Sequence, residues 1–195
     1  MVTFIGLTGG IGAGKSTALA ALERLGASVL STDAVVHELY ESRELVDAVV
    51  ARFGESVAPG AAIDRPALAA RAFATAEGRA WLEGLLWPRV ASRVESWRRM
   101  VETAVAPPAA AVVEVPLLFE AGMEGAFDAT IAVLAGEDVR AERAGVRGHR
   151  ALAERAARQL SQEEKADRAT YVVINDGTVE QLEGKLSAVL DMLRR

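Results

Sequence analysis

The chain has 195 residues, of which 51% are hydrophobic and 25% charged, a balance typical of a globular protein rather than a disordered or fibrous one. It has no cysteine, which excludes disulfides, thiolate metal sites and a cysteine nucleophile. Its net charge of −5 argues against nucleic acid as the main partner, because binding a phosphate backbone requires a basic surface. It has no signal-peptide pattern and no run of the roughly 18 apolar residues that a membrane span requires, so we expect a cytoplasmic protein with no membrane partner.

Short apolar runs predict five buried strands. They cover residues 2–7, 28–31, 109–115, 129–134 and 171–174. Because these runs are apolar throughout rather than alternating, they favour a parallel sheet that is covered on both faces. Since helical patterns separate the strands, the sequence predicts an α/β layered fold.

The helical segments between the strands differ greatly in length. They are predicted over residues 16–25, over much of 34–106, over 137–168 and over 179–193. The segment 34–106 has no strand pattern, and Asp64 followed by Pro66 marks a helix start within it. We therefore expect a helical insertion of about 70 residues between the second and third strands.

A glycine-rich stretch follows the first strand. Residues 9–16 read GGIGAGKS and match G-x-x-x-x-G-K-[ST], the phosphate-binding loop. Glycine allows the backbone to close its N–H groups around an anion. Lys15 would reach the terminal phosphates, Ser16 would ligate Mg²⁺, and the following helix would point its positive N-terminus at the phosphates.

A phosphate loop leaves two classes of protein open, a phosphotransferase and a nucleotide-dependent switch or binding protein. The sequence contains neither the Asn-Lys-x-Asp nor the Asp-x-x-Gly pattern that a GTPase switch usually carries. The helical insertion and the arginine-rich segment that follows the fourth strand are better suited to a kinase, which must hold an acceptor and cover the phosphates.

Several charged side chains are candidates for the chemistry of phosphoryl transfer. Asp33 follows the second strand, so it would lie beside the loop and accept or orient an acceptor hydroxyl; an N-cap for the next helix is the alternative. Arg143 and Arg147 share a helix face and would bracket the transferred charge, or simply form a solvated surface. Glu114 would hold Mg²⁺ through water, or merely reach solvent at a strand end.

Taken together, the motifs resemble the dephospho-coenzyme A kinase family over essentially the whole chain. They are GLTGGIGAGKST from Gly6, Asp33, IDRPALAARAF from Ile63, WLEGLLWPRV from Trp81, VPLLFEAGM from Val115, the pair Arg143 and Arg147, RAARQLSQEEK from Arg155 and YVVINDGT from Tyr171. The phosphate loop is shared with many kinases. The combination with VPLLFE and with the spacing of Arg155, Gln159 and Lys165 is specific.

The resemblance implies transfer of the γ-phosphate of ATP to the 3′-hydroxyl of dephospho-coenzyme A, with Mg²⁺ as the metal. Asp33, Lys15, Arg143 and Arg147 would be catalytic. ATP would be bound by Gly10, Gly12, Ala13, Gly14, Lys15, Ser16, Thr17 and, near the adenine, Asn175.

The implied architecture is a P-loop NTPase core with a parallel five-stranded sheet, a helical acceptor-binding insertion and a helical lid. Residues 1–33, 108–140 and 168–195 would form the nucleotide-binding core, 34–107 the coenzyme A domain and 141–167 the lid. We expect a monomer.

The chain departs from the family pattern at three positions. Ser31 replaces the first acid of Asp-x-Asp, Trp87 replaces the histidine of a His-Pro pair, and Thr170 replaces the aspartate of Ala-Asp-x-Val-Ile. Two alternatives therefore stay open at this point: another small-molecule P-loop kinase, and a relative that binds ATP without catalysis.

Overall fold

The computed structural model describes residues 1–145 and 159–194. Its strands are β1 (Thr3–Gly9), β2 (Ser28–Ser31), β3 (Ala110–Glu114), β4 (Ala129–Leu134) and β5 (Tyr171–Ile174). They form one parallel sheet in the order β2-β3-β1-β4-β5. The five predicted strands and their parallel arrangement are thereby confirmed. Only β1, β3 and β4 are largely buried as predicted, whereas the edge strands β2 and β5 are partly exposed.

Residues 146–158, which belong to the predicted helical stretch 137–168 and to the predicted lid, lie outside the described residues. In the described ranges, the helices agree closely with the predicted segments. They are α1 (Lys15–Arg24), α2 (Thr32–Leu39), α3 (Arg43–Phe53), α4 (Arg65–Ala72), α5 (Ala76–Glu102), α6 (Glu137–Gly145), α7 (Gln162–Arg168) and α8 (Val179–Leu193). Asp64 caps α4, since its carboxylate accepts the Ala67 N–H at 3.0 Å. None of the helices in the described ranges is long and apolar enough to cross a membrane.

Two compact units make up the chain. One comprises Met1–Ser31 and the described part of Arg98–Arg195, and the other is Thr32–Trp97. In the first unit, buried residues of the central strands pack with one face each of α1 and α8, including Ile5, Leu22, Ile131 and Leu186, all fully buried. In the second, α3, α4 and α5 pack around Leu45, Val49 and Leu68.

Gly6, in the middle of β1, lies where a side chain has no room. A Cβ atom at this position would come 2.5 Å from Leu118 Cδ1 and 2.9 Å from the ring of Phe127. We expect Gly6→Ala to lower the free energy of unfolding by about 1–3 kcal/mol, because Leu118 and Phe127 must shift in a packed core. Urea denaturation of the purified variant measures this loss.

Gly184 offers a matched control in the same unit. It is exposed on α8, and a Cβ there meets nothing within 4 Å. Gly184→Ala is expected to raise the free energy of unfolding by up to about 1 kcal/mol, since alanine is the better helix former. Equal effects of the two alanines would contradict the packing explanation for Gly6.

Candidate active site

The phosphate loop connects β1 to α1 and has the backbone that its glycines predict. Gly12 and Gly14 have φ values of 77° and 92°, in the region that other residues rarely adopt. At Gly12 a Cβ would come 2.7 Å from the carbonyl oxygen of Arg140, so the loop also passes too close to α6 for a side chain. Both conformation and space therefore demand glycine at this point.

Lys15 and the two hydroxyl residues after it stand at the start of α1. The Lys15 ammonium donates to the carbonyl oxygens of Gly9 and Gly10 at 3.0 and 3.2 Å, which holds it along the loop. Ser16 and Thr17 are exposed. Among the described residues, no side chain caps α1, and its first turn contains no acid.

This arrangement fits the phosphates of a nucleoside triphosphate. The positive end of an uncapped helix attracts anions, and an acid-free first turn does not oppose them. Lys15 adds a full positive charge at the same end of α1, and the exposed Ser16 hydroxyl is the kind of oxygen ligand that Mg²⁺ accepts.

Two side chains from the far end of the chain hold the tip of the loop. Arg140 Nε donates to the carbonyl oxygen of Ile11 at 3.0 Å. The side-chain oxygen of Gln159 accepts the N–H of the same Ile11 at 3.2 Å. Both polar groups of Ile11 are therefore bonded to residues more than 120 positions away in sequence.

Asn175 and Arg143 meet at the other end of the loop. Asn175 is 5% exposed, and its side-chain amide donates to the carbonyl oxygen of Ala13 at 2.8 Å. Arg143 donates to the backbone oxygen of Asn175 at 3.1 Å and approaches Gly14. The structure thus brings Arg143 and Asn175, two of the predicted site residues, against the loop.

The two remaining predicted catalytic residues are Asp33 and Arg147. Asp33 is exposed in the first turn of α2, directly after β2. Because α2 begins at Thr32, Asp33 lies inside the helix and does not precede it as an N-cap would. Arg147 lies outside the described residues.

Glu114, at the end of β3, does not reach solvent as one reading of the sequence predicted. It is only 6% exposed and lies in register with Leu7 and Ser31 on the neighbouring strands. An apolar strand between two other strands buries its last residue as well as its first, which the strand-end position alone did not indicate.

The three unusual residues have different surroundings. Thr170 forms paired bonds with Thr130: its hydroxyl accepts the Thr130 N–H and its own N–H donates to the Thr130 hydroxyl, both at 3.0 Å. Trp87 is 57% exposed in α5, next to Pro88. Ser31 is half-buried at the end of β2. Thr170 therefore has a structural role at the start of β5.

The start of α7 is bonded to the backbone that follows β4. Gln162 donates to the oxygen of Ala135 at 2.9 Å and accepts its N–H at 3.0 Å. The pKa of Glu163 lies below its usual value, mainly because of a backbone hydrogen bond at the helix start and then because of the Ser161 hydroxyl. The start of α7 is thus tied firmly to the end of β4.

The parallel sheet, the glycine loop between β1 and α1 and the arginine of α6 beside that loop define a P-loop kinase. A model of the family described as "Dephospho-CoA kinase" matches residues 3–181. The chain belongs to the dephospho-CoA kinase family, whose members are ATP-dependent kinases that act on a hydroxyl group.

Individual relatives agree with this assignment. The "Dephospho-CoA kinase" of Deinococcus radiodurans is 41% identical, with 97% of this chain and 91% of that protein covered. The crystal structure of TT1252 from Thermus thermophilus superposes with a TM-score of 0.79 at 35% identity and covers 98% of both chains. The shikimate kinase of Aquifex aeolicus shares the fold alone, with a TM-score of 0.51, 16% identity and 97% of each chain covered.

Sequence reasoning missed specific roles for two residues of the site, Arg140 and Gln159. Arg140 was visible only as one of many arginines, although it lies three residues before Arg143 and so shares its helix face. Gln159 appeared in a family motif without a role. Their common contact, Ile11, is far away in sequence and carries no charge or pattern that points to either.

Proposed function

We propose that the protein transfers the γ-phosphate of ATP to the 3′-hydroxyl of dephospho-coenzyme A, giving coenzyme A and ADP. The observation that carries the proposal is the phosphate loop at β1 and α1, in a chain whose match to the dephospho-CoA kinase family spans residues 3–181. The names of the curated relatives support the same acceptor. The alternatives of another acceptor or of a non-catalytic relative are not favoured by these likenesses.

The loop is proposed to hold the phosphates of ATP. Its backbone N–H groups from Gly10 to Thr17, except that of Ile11, which donates to Gln159, would surround the phosphate oxygens, and Lys15 would neutralise the charge that develops during transfer. Ser16 would ligate Mg²⁺, with phosphate oxygens and water as the other ligands. The bound metal neutralises phosphate charge and orients the transferred group.

Asp33 is proposed as the general base. Its support is its place directly after β2, since ligands of parallel sheets bind beyond the carboxyl ends of the strands. The acceptor hydroxyl would give its proton to the Asp33 carboxylate while its oxygen forms the new bond to the γ-phosphorus. The bond from that phosphorus to the bridging oxygen breaks, and ADP leaves.

Arg143 and Arg147 are proposed to stabilise the charge on the transferred group, and Asn175 to bind near the adenine. The contacts of Arg143 and Asn175 with the loop support a position beside ATP. Residues 34–107 would hold the acceptor, 141–167 would form the lid, and 1–33, 108–140 and 168–195 would form the nucleotide-binding core.

We also propose a monomer that works in the cytoplasm, where ATP is available. Gel filtration with light scattering tests the oligomeric state.

The direct test is ADP release from Mg-ATP with four additions: dephospho-coenzyme A, AMP, adenosine and no acceptor. We expect release that depends on dephospho-coenzyme A and is lost in Lys15→Ala. Stimulation by a different alcohol would identify another kinase. ATP binding without stimulation by any acceptor would identify a relative that has lost catalysis.

Arg143→Ala is expected to lower kcat by about ten- to a hundredfold while ATP affinity changes little, because the arginine would act on charge that builds up in the transition state. Steady-state kinetics together with ATP titration measure the two effects. Arg24→Ala is the control, since Arg24 forms an ion pair with Glu183 away from the loop. Unchanged kinetics in Arg143→Ala would make it an ordinary surface arginine.

A further inference from the structure

The tip of the phosphate loop is held by hydrogen bonds on both sides of one residue, Ile11. Its oxygen is bonded by Arg140 Nε at 3.0 Å and its N–H by the side-chain oxygen of Gln159 at 3.2 Å. Gly10 and Gly12 flank it, and glycine has more backbone freedom to lose than any other residue. Ile11 is therefore the point at which a flexible stretch of the loop can be fixed.

Arg140 is well placed to fix this stretch. Its guanidinium would lie 3.6–3.7 Å from a Cβ at Gly10, and its backbone oxygen 2.7 Å from a Cβ at Gly12. One residue of α6 thus bonds to Ile11 and approaches the loop on both sides of it. Its own N–H donates to the oxygen of Gly136, which keeps it in the helix.

Gln159 is held in place by a buried ion pair. The next residue, Leu160, donates its N–H to Glu120 Oε1 at 2.8 Å, and Lys165 Nζ donates to the same oxygen at 2.7 Å. The Lys165 side chain is fully buried and that of Glu120 is 11% exposed. Removing one partner of a buried pair leaves an uncompensated charge, which is costly, so the backbone beside Gln159 is held firmly.

The same lysine also lies near the start of the loop. Lys165 Nζ approaches the oxygen of Pro116 at 3.5 Å, and the buried Thr8 hydroxyl donates to that oxygen at 3.3 Å. Thr8 stands next to Gly9, where the loop begins. Lys165 is thus linked through Pro116 to Thr8, and through Glu120 to Leu160 beside Gln159.

We propose that Arg140 and Gln159 are positioning residues of the phosphate loop: they hold Ile11 from both sides and so fix the loop before ATP binds. A loop that is already ordered loses less conformational freedom on binding, which raises affinity. This inference rests on the proposed role of the loop in holding ATP.

Gln159→Ala and Gln162→Ala provide the first test. Both glutamines are half-buried on the same segment and bond to backbone, but Gln162 makes two bonds to Ala135 and none to the loop. We expect Gln159→Ala to raise the Kd for Mg-ATP about three- to tenfold, the loss of one hydrogen bond, with the KM for dephospho-coenzyme A unchanged. Gln162→Ala should lower the thermal unfolding midpoint at least as much as Gln159→Ala does, because it loses two hydrogen bonds rather than one. It should leave the Kd for Mg-ATP within about twofold of the wild-type value.

A double-mutant cycle then tests whether the two residues act through the same peptide. Arg140→Met removes a charge as well as a bond, so its own effect on the Kd is larger. If both side chains act by fixing Ile11, the combined increase in Kd should differ from the product of the single increases. Isothermal titration with Mg-ATP measures all four proteins in the same way.

Three outcomes are distinguishable. Failure of the wild-type protein to bind Mg-ATP would overturn the proposed function itself. A wild-type protein that binds, with Gln159→Ala unchanged or Gln162→Ala weakened equally, would show that Gln159 only anchors the chain. Independent effects of Arg140 and Gln159 in the cycle would contradict the shared action on Ile11.

Discussion

Replacement of Lys15 by alanine is expected to lower kcat/KM for ATP by at least about a hundredfold while the protein stays folded. The Lys15 ammonium is held by the oxygens of Gly9 and Gly10 at the start of α1, and in the proposed reaction it is one of the cations beside the transferred phosphate. Removing one preorganised group of this kind costs about 10²–10³ in rate. The side chain is half-buried and is not part of the apolar core around α1, so the unfolding midpoint should move little. ADP release and thermal unfolding measure the two properties.

Lys185→Ala serves as the control for a lost lysine in the same unit. Lys185 is exposed on α8 and donates to the oxygen of Ile174 at 2.6 Å, and no catalytic role is proposed for it. It should retain normal turnover. Normal turnover in Lys15→Ala would show that the glycine loop does not handle the transferred phosphate, whereas unfolding of that variant alone would point to a structural role.

The second large effect is expected for Asp33→Asn. The amide keeps the size and much of the hydrogen bonding of the carboxylate but cannot take the acceptor proton, so kcat should fall by about 10²–10⁴. ATP affinity should stay near that of the wild type, because the lost group acts on the acceptor. Fixed-time assays of coenzyme A formation measure the fall in kcat, and titration with ATP measures the ATP affinity separately.

Loss of a negative charge in the first turn of a helix also has a general cost. This cost is about 0.3–1 kcal/mol of stability, and Glu77→Gln reproduces it, since Glu77 is an exposed acid in the first turn of α5 in the same unit as Asp33. Glu77→Gln should retain full activity. If Asp33→Asn loses ATP binding and turnover to the same degree, Asp33 stabilises structure and another residue must be the base.

The strands were well predicted because each is a short, mainly apolar run with glycine, proline or polar residues at or near its ends. The runs at 28–31, 129–134 and 171–174 agree with β2, β4 and β5 at both ends. The first strand continues further than predicted, through Gly9, because β4 pairs with it in register as far as Val133. Pairing with a neighbour, which is not visible in local composition, decides where that strand ends.

The site was predicted in part. The loop and its lysine follow from a contiguous motif whose chemistry requires those residues at that spacing. The contact of Arg143 with Asn175 joins two residues that the family resemblance named but did not connect. Asp33, Arg147 and the other proposed roles remain predictions. The departure at Thr170 is explained by its paired bonds with Thr130, a partner 40 positions away.

By itself, the sequence determined which of the described segments form strands and helices, which loop is proposed to bind phosphate, and to which kinase family the chain belongs. These features depend on local periodicity and on short motifs, because burial of one face and closure of a glycine loop require particular residues at fixed spacings. Only the tertiary structure decided the strand order and the hydrogen bonds of Arg140 and Gln159 with Ile11. Such contacts join single polar groups over more than 120 positions. Their geometry arises because Ile11 follows β1, Arg140 follows the adjacent β4, and Gln159 lies just before α7, whose first residue is bonded to Ala135 after β4. No local pattern encodes this arrangement.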